Sequence, residues 1–164
     1  CSSDLAICWG MQVAVTAAGG VVKKSSNGAH IGIANQLIIN EQGLKHPLYS
    51  GKKNNFNTPA FNFDEVVTLP ENGVCLASNK INKVQGMYFK INNNIVWGLQ
   101  YHPEITYQKM IQLIKFRKDR LIETRKVFAN HDQVDEHISF IEKEISISDN
   151  QQRMIELRNW LNSI

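Results

Sequence analysis

Charge of one sign is scarce in this 164-residue sequence: 18 basic residues stand against 15 acidic ones, a net +3. So small a balance leaves no electrostatic footprint for a nucleic acid or a membrane surface as partner. Long apolar runs are missing too, since none approaches the roughly 20 residues that a bilayer crossing needs. The first residues lack the basic-then-apolar pattern of a secretory leader. Cysteine is confined to Cys1, Cys8 and Cys75. An odd and widely spaced set has neither the pairing of a disulfide framework nor the spacing of a metal site, which suits a reducing cytoplasm and a protein without a metal or other cofactor. ATP-binding motifs are absent, and Lys52-Lys53-Asn54-Asn55 has neither the glycines nor the following helix of a phosphate loop. What remains is ordinary globular material, 43% hydrophobic and 20% charged, long enough to bury a core as one domain.

Two stretches carry chemistry. Leu5-Ala6-Ile7 runs into Cys8, Gly10 follows, and a helix-compatible run from Met11 to Ala18 ends at Gly19-Gly20. This order predicts strand, tight turn and helix, with the thiol held at the carboxyl edge of a sheet and the first helix amides facing the same point. Gly10 is the residue expected to permit the turn. A cysteine in an apolar strand is otherwise a small core hydrophobe; the second stretch gives it a partner. There, Ile95-Val96-Trp97-Gly98-Leu99 leads through Gln100-Tyr101 to His102, with Pro103 stiffening the turn and Glu104 two residues on. A thiol nucleophile needs a base, and the base needs a third group to orient it; Cys8, His102 and Glu104 supply one of each.

Ile7-Cys8-Trp9-Gly10-Met11-Gln12 resembles the nucleophile motif of class I glutamine amidotransferases, and Gly98 through Glu104 resembles their His-Pro-Glu motif. Asp64-Glu65-Val66, Leu69 through Gly73 and Leu76-Ala77-Ser78-Asn79 are similar to the segment bordering the glutamine pocket in stand-alone, GMP-synthase-like members. The resemblance implies an α/β fold with a flavodoxin-like sheet and helices on both faces. It divides the chain into residues 1–105, the C-terminal portion of an amidotransferase domain, and 106–164, a helical extension. It also implies L-glutamine as substrate, a γ-glutamyl thioester on Cys8, and ammonia passed to an unknown acceptor, such as a synthase subunit or domain. The Trp9 amide is then an oxyanion donor, Gln12 contacts the substrate, and Asn62, Phe63 and Asp64 edge its pocket. Many members have a histidine where this chain has Asn62, which cannot exchange a proton near neutral pH. The alternatives are hydrolysis of another γ-glutamyl compound and a catalytically degenerate domain. The chain opens without methionine directly at the Cys8 strand, so the resemblance implies that the N-terminal strands and a glycine loop forming half of the oxyanion hole are absent. Residues 1–164 alone are therefore expected to be poorly active, with a sheet edge left unpaired.

Strands are expected at Val21–Lys24, Ile31–Ala34, Gln36–Ile39, Val74–Ala77, Val84–Phe89 and Ile95–Gly98, with a hairpin turn at 92–94. Asp64 and Glu65, as strand neighbours, should face opposite ways, one inward and one to solvent, and Cys75 should pack in the core. From Thr106 the period becomes helical: Met110, Ile111, Leu113, Ile114, Leu121 and Ile122 form an apolar stripe, and Lys115, Arg117, Lys118 and Arg120 read as a solvated face. Asp132 and Asp149 are expected to cap two further helices. His30, His46, His131 and His137 have no ligand-like neighbours and read as structural or exposed.

Overall fold

The computed structural model describes residues 3–164; Cys1 lies outside the described residues. Strand β1 (Ser3–Ile7) leads into helix α1 (Trp9–Ala17) and back into β2 (Val21–Lys24). Next come β3 (His30–Ile31), β4 (Ala34–Ile39), helix α2 (Glu41–Lys45), β5 (Phe56–Thr58), β6 (Phe61–Asn62) and β7 (Asp64–Thr68). Then β8 (Val74–Ser78), β9 (Gly86–Ile91) and β10 (Asn94–Leu99) complete the strands of the described residues. The helical end comprises α3 (Tyr107–Phe116), a π-helical turn at Arg120–Thr124, α4 (His131–Ile147), α5 (Asn150–Arg153) and α6 (Ile155–Leu161).

The main sheet has the order β1-β10-β9-β8-β4-β5. β1 pairs parallel with β10, Ala6 opposite Gly98 and Ile7 opposite Leu99, so the Cys8 turn and the segment entering His102 leave the sheet at the same edge. The other pairings in the sheet are antiparallel, and the smaller pairs β2-β7 and β3-β6 stand beside it.

Strand periodicity divides the core between the two faces. Met87, Phe89 and Val96 point to one side, where they pack with Met11 and Val15 of α1. Tyr88, Trp97 and Leu99 point to the other, toward Leu37, Leu48 and Leu76. Met11 and Val15 are fully buried, each worth about 1.5–3 kcal/mol by removal from water. Gly98 is what lets α1 sit so low: a Cβ there would lie 2.7 Å from Met11 Cγ. A third cluster joins Ile31 and Ile33 to Ile114, Leu121, Val134 and Ile141, so the apolar stripe read from the sequence is the inner face of the helical end.

The helical end is also tied to the sheet by polar contacts. Glu156, fully buried, bonds Lys52 Nζ at 3.0 Å and accepts the Tyr101 hydroxyl at 2.5 Å, the pairing a buried charge requires. Several local expectations shift. Ile31 and Ala34 belong to different strands because Gly32, at φ 85°, breaks the run. β9 begins at Gly86 rather than Val84. The cap of α4 is Asn130, whose side chain accepts from the Gln133 amide at 3.0 Å, and Asp132 lies in the first turn instead. Asp149 does cap its helix, but Met154 interrupts the run into α5 and α6.

Candidate active site

Cys8 occupies the turn between β1 and α1. Its amide continues the sheet ladder to Leu99 O (2.7 Å), and its carbonyl accepts the Gln12 amide (3.1 Å). These two bonds pin a backbone at φ 51° and ψ −111°, a conformation that costs a non-glycine residue on the order of 1–3 kcal/mol. The strain of the elbow therefore sits on the cysteine itself. Gly10 is not the residue that permits the turn, contrary to the sequence reading: it has no positive φ, and a Cβ there would meet nothing within 4 Å.

His102 follows β10 and is held from three directions. Its amide donates to Pro59 O at 2.8 Å. Its Nδ1 lies 2.6 Å from Glu104 Oε1, and Cys8 is near enough to act on its ring electrostatically. Burial alone pulls the imidazole toward neutrality, but Cys8 and the bonded Glu104 together outweigh it and raise the pKa to about 9. Arg153 supports this turn from α5, its guanidinium donating to the carbonyls of Pro103 and Ile105. Glu104, with a side chain 37% exposed, stands at the outer end of the array, and His102 at 17% is more enclosed.

Two glutamines stand beside the sulfur. Gln100, fully buried, points Nε2 at Cys8 Sγ (3.6 Å) and accepts from Gln12 Nε2 (3.1 Å) through Oε1. Gln12 also donates to the Asp64 carbonyl (3.1 Å). Sequence reasoning finds Gln12 and misses Gln100; the available signal is the period-two repeat that puts Gln100 on the same side as His102.

A cavity of about 310 Å³ opens beside Cys8, and Trp9, Gln12, Asn62, Phe63 and Asp64 all line it. His102 and Glu104 are not on its wall. Trp9 is 75% exposed at the mouth. Asp64 is exposed while Glu65 is buried and accepts the Lys83 amide at 3.3 Å, the opposed facing expected of strand neighbours. Asn62 is mostly occupied below the cavity floor: it accepts from His30 Nδ1 (3.1 Å) and donates to Asn82 Oδ1 (2.8 Å) and Asp64 O (3.0 Å). His30 in turn receives Asn79 Nδ2 (3.0 Å) and Gln85 Nε2 (3.3 Å) on Nε2. Burial lowers the His30 pKa to about 4, against weaker opposing effects of Asn62, Asn82 and Glu65. His30 is thus a structural residue.

The basic face of the helical end does not stay together. Lys118 pairs with Asp135 at 3.0 Å, whereas Arg117 and Arg120, with Arg125 further on, line the cavity beside Cys8. Lys115, Arg117 and Arg120 are exposed, as a solvated face requires, and the two arginines border the cavity as well. Cys75 is half-buried at the sheet, and burial pushes its thiol up, away from reactivity. His46 stacks on Tyr88 (4.7 Å between centroids), and His137 Nε2 donates to Ile31 O at 2.6 Å. Among the described residues no group of three or more His, Cys, Asp or Glu is placed to hold a metal ion, and no helix is long and apolar enough to cross a membrane.

The family model described as glutamine amidotransferase class-I matches residues 4–119. A γ-glutamyl-L-1-hydroxyisopropylamide hydrolase from Pseudomonas sp is 36% identical over 103 residues, covering 61% of this chain and 35% of that protein. A glutamine-hydrolysing GMP synthase subunit from Methanoculleus marisnigri is 31% identical over 103 residues, covering 63% of this chain and 52% of its own length. The chain thus spans about a third of the first relative and about half of the second. Among solved structures, a glutamine amidotransferase from Thermotoga maritima superposes with a TM-score of 0.68 at 19% identity, covering 97% of this chain and 60% of that one, a likeness of fold.

Proposed function

The chain belongs to the class I glutamine amidotransferase family, and on that premise we propose that it hydrolyses the side-chain amide of L-glutamine, or of a close γ-glutamyl analogue, through Cys8, His102 and Glu104. The observation that carries this reading is the 2.6 Å bond of His102 to Glu104 at the edge where the parallel β1–β10 pair also delivers the strained Cys8.

Cys8 Sγ attacks the amide carbon, and the new S–C bond gives a tetrahedral oxyanion next to the start of α1, where the Trp9 amide is the donor this segment offers. His102 holds the thiol proton and passes it to the departing nitrogen as the C–N bond breaks, leaving a γ-glutamyl thioester. A water that gives its proton to His102 then replaces sulfur, and glutamate leaves. Glu104 fixes the imidazole and stabilises its cation throughout. Gln100 and Gln12 set the position of the sulfur and of the substrate amide. Residues 1–105 supply this chemistry, and 106–164 form a helical extension that braces it through Arg153 and Glu156. The released ammonia passes to an acceptor held by a synthase subunit or domain, a reading supported by the relative that is a GMP synthase subunit. The Pseudomonas relative supports the second reading, in which the leaving group is an amine larger than ammonia.

Ammonia release from L-glutamine by the full-length protein, with Cys8→Ala and labelling by a glutamine-mimicking diazoketone alongside, tests the proposal. Release and labelling that both vanish in Cys8→Ala support it. Inert glutamine with Cys8 still labelled moves the assignment to the second reading, and an unlabelled Cys8 refutes both.

A further inference from the structure

The γ-glutamyl reading leaves part of the cavity unexplained. Arg117, Arg120 and Arg125 line it together with Cys8, and none has a carboxylate within salt-bridge distance among the described residues. Of the acidic neighbours, Asp135 pairs with Lys118 and Asp119 with His131 at 3.8 Å, while Asp64 shares the cavity wall without an ion pair to an arginine among the described residues. Two of the guanidiniums are steadied by aromatic rings that face the same space. Arg125 Cζ lies 4.4 Å from the centre of Phe63 and Arg117 Cζ 5.3 Å from that of Phe61, an arrangement that orders the side chain yet leaves its N–H edge free to bind.

The backbone explains the convergence. In an uninterrupted α-helix the residues following Arg117 and Arg120 on one face would include Thr124. The π-helical turn inserts a residue, with the Arg125 amide bonding Arg120 O at 2.9 Å, so Arg125 takes that place. Leu121, 1% exposed, anchors the turn in the core.

Glutamine is a poor match for this wall. Its head carries one carboxylate, which one guanidinium satisfies, and one ammonium, for which Asp64 is on the wall. Its leaving group is ammonia, which needs no recognition surface. A cavity of about 310 Å³ is already in the range that holds ligands larger than a single amino acid.

We propose that Arg117, Arg120 and Arg125 are specificity residues that select γ-glutamyl amides whose leaving amine bears a second carboxylate, that is, γ-glutamyl amino acids. This rests on the γ-glutamyl hydrolase reading. In the reaction the S–C bond to Cys8 forms as the C–N bond to the amino acid breaks, the amino acid nitrogen takes the proton from His102, and water then releases glutamate and restores the thiol. The second carboxylate is bound bidentately by the arginines not engaged by the first.

The test compares γ-glutamylglycine with γ-glutamylmethylamide, which lacks the second carboxylate. Binding to full-length Cys8→Ala is measured by calorimetry, alone and combined with Arg120→Gln or Arg125→Gln, and turnover of both compounds is measured with the unaltered protein. These arginines are solvent-exposed, so circular dichroism should report a native fold for each variant. The expected result is a preference of about tenfold or more for γ-glutamylglycine, the size of one charge-assisted bond, which collapses toward unity in the glutamine variants and shrinks with added salt. Equal binding of the two compounds, a preference indifferent to both variants, or no binding of either overturns the proposal. A preference without turnover of any γ-glutamyl compound removes the hydrolase reading and leaves the anion wall standing; turnover without preference does the reverse.

Discussion

Two histidines, both withdrawn from solvent, come out on opposite sides of neutrality. His102 meets a carboxylate and a thiol and is raised to about 9, whereas His30 meets amide side chains and is lowered to about 4. Burial pushes both in the same direction. The difference lies in the partners: amides offer a neutral imidazole matched donors and acceptors but give little to a cation, while Glu104 and Cys8 favour the cation directly. With burial alike at both, the charge arranged around His102 decides which imidazole is poised to hold a proton near neutral pH. At His30 the same imidazole serves as a neutral strut that carries Asn62, and with it the floor of the cavity.

Replacing His102 with Asn should separate the two regions most sharply. Loss of a proton-transfer group costs about 10²–10⁴ in rate, so turnover of the γ-glutamyl substrate is expected to fall that far or further. Comparable activity in His102→Asn and the unaltered protein would break the comparison. Glu104→Gln comes next. It removes one of the two supports of the imidazolium, so kcat should fall on the order of a hundredfold, and the alkaline limb of the pH–rate profile, expected near 9, should move to lower pH. A limb that stays in place would assign the raised pKa to Cys8 alone.

At His30 the expected effect is on folding. His30→Ala takes one hydrogen-bond partner from each of Asn62, Asn79 and Gln85 and should lower unfolding free energy by about 1–3 kcal/mol, read from the urea midpoint, with the alkaline limb unmoved. The pH dependence of stability then distinguishes the two sites by sign. His30, with its pKa depressed from 6.5 to about 4, contributes stability that is complete above 6.5 and is lost as pH falls toward 4, because the unfolded chain takes up the proton first. His46, lowered to about 4 by burial, adds to the same acid limb. His102, raised from 6.5 to about 9, contributes stability that is complete below 6.5 and is lost as pH rises through 9. Urea midpoints from pH 4 to 10 should show both limbs, and His30→Ala should flatten only the acid one. The smallest effect is expected at the Cys8 elbow: Gly10→Ala meets open space in a helix and should change stability by less than about 1 kcal/mol, whereas Gly98→Ala collides with Met11.

Much of this fold could be read from local pattern. β8 and β10 are short, mainly apolar runs bounded by turn residues, and the stripe from Met110 to Leu121 marks the inner face of α3 and the π-helical turn. Asp64 and Glu65 diverge as strand neighbours must. Local pattern misled where two local signals compete. Asn130 and Asp132 are both good caps, and only the placement of the chain entering α4 chose between them. Gly10 looked essential because it follows a turn, yet the bonds from Cys8 to Leu99 and Gln12 put the strained conformation on Cys8. Arg125 escaped notice because it joins Arg117 and Arg120 at the cavity only through the residue that the π-helical turn adds.

By itself the sequence determined which groups exist at the ends of which elements: a thiol after one strand, an imidazole and a carboxylate after another, an apolar stripe along a helix. Such features follow from neighbours in the chain, whose spacing sets strand and helix periods. Only the tertiary structure decided which of these groups meet. The parallel register of β1 with β10 brought Cys8 to His102, the closing of the helical end brought three arginines to the same cavity, and burial among amides made His30 neutral. Each depends on residues far apart in sequence, and the field that acts on a side chain is set by what is packed against it.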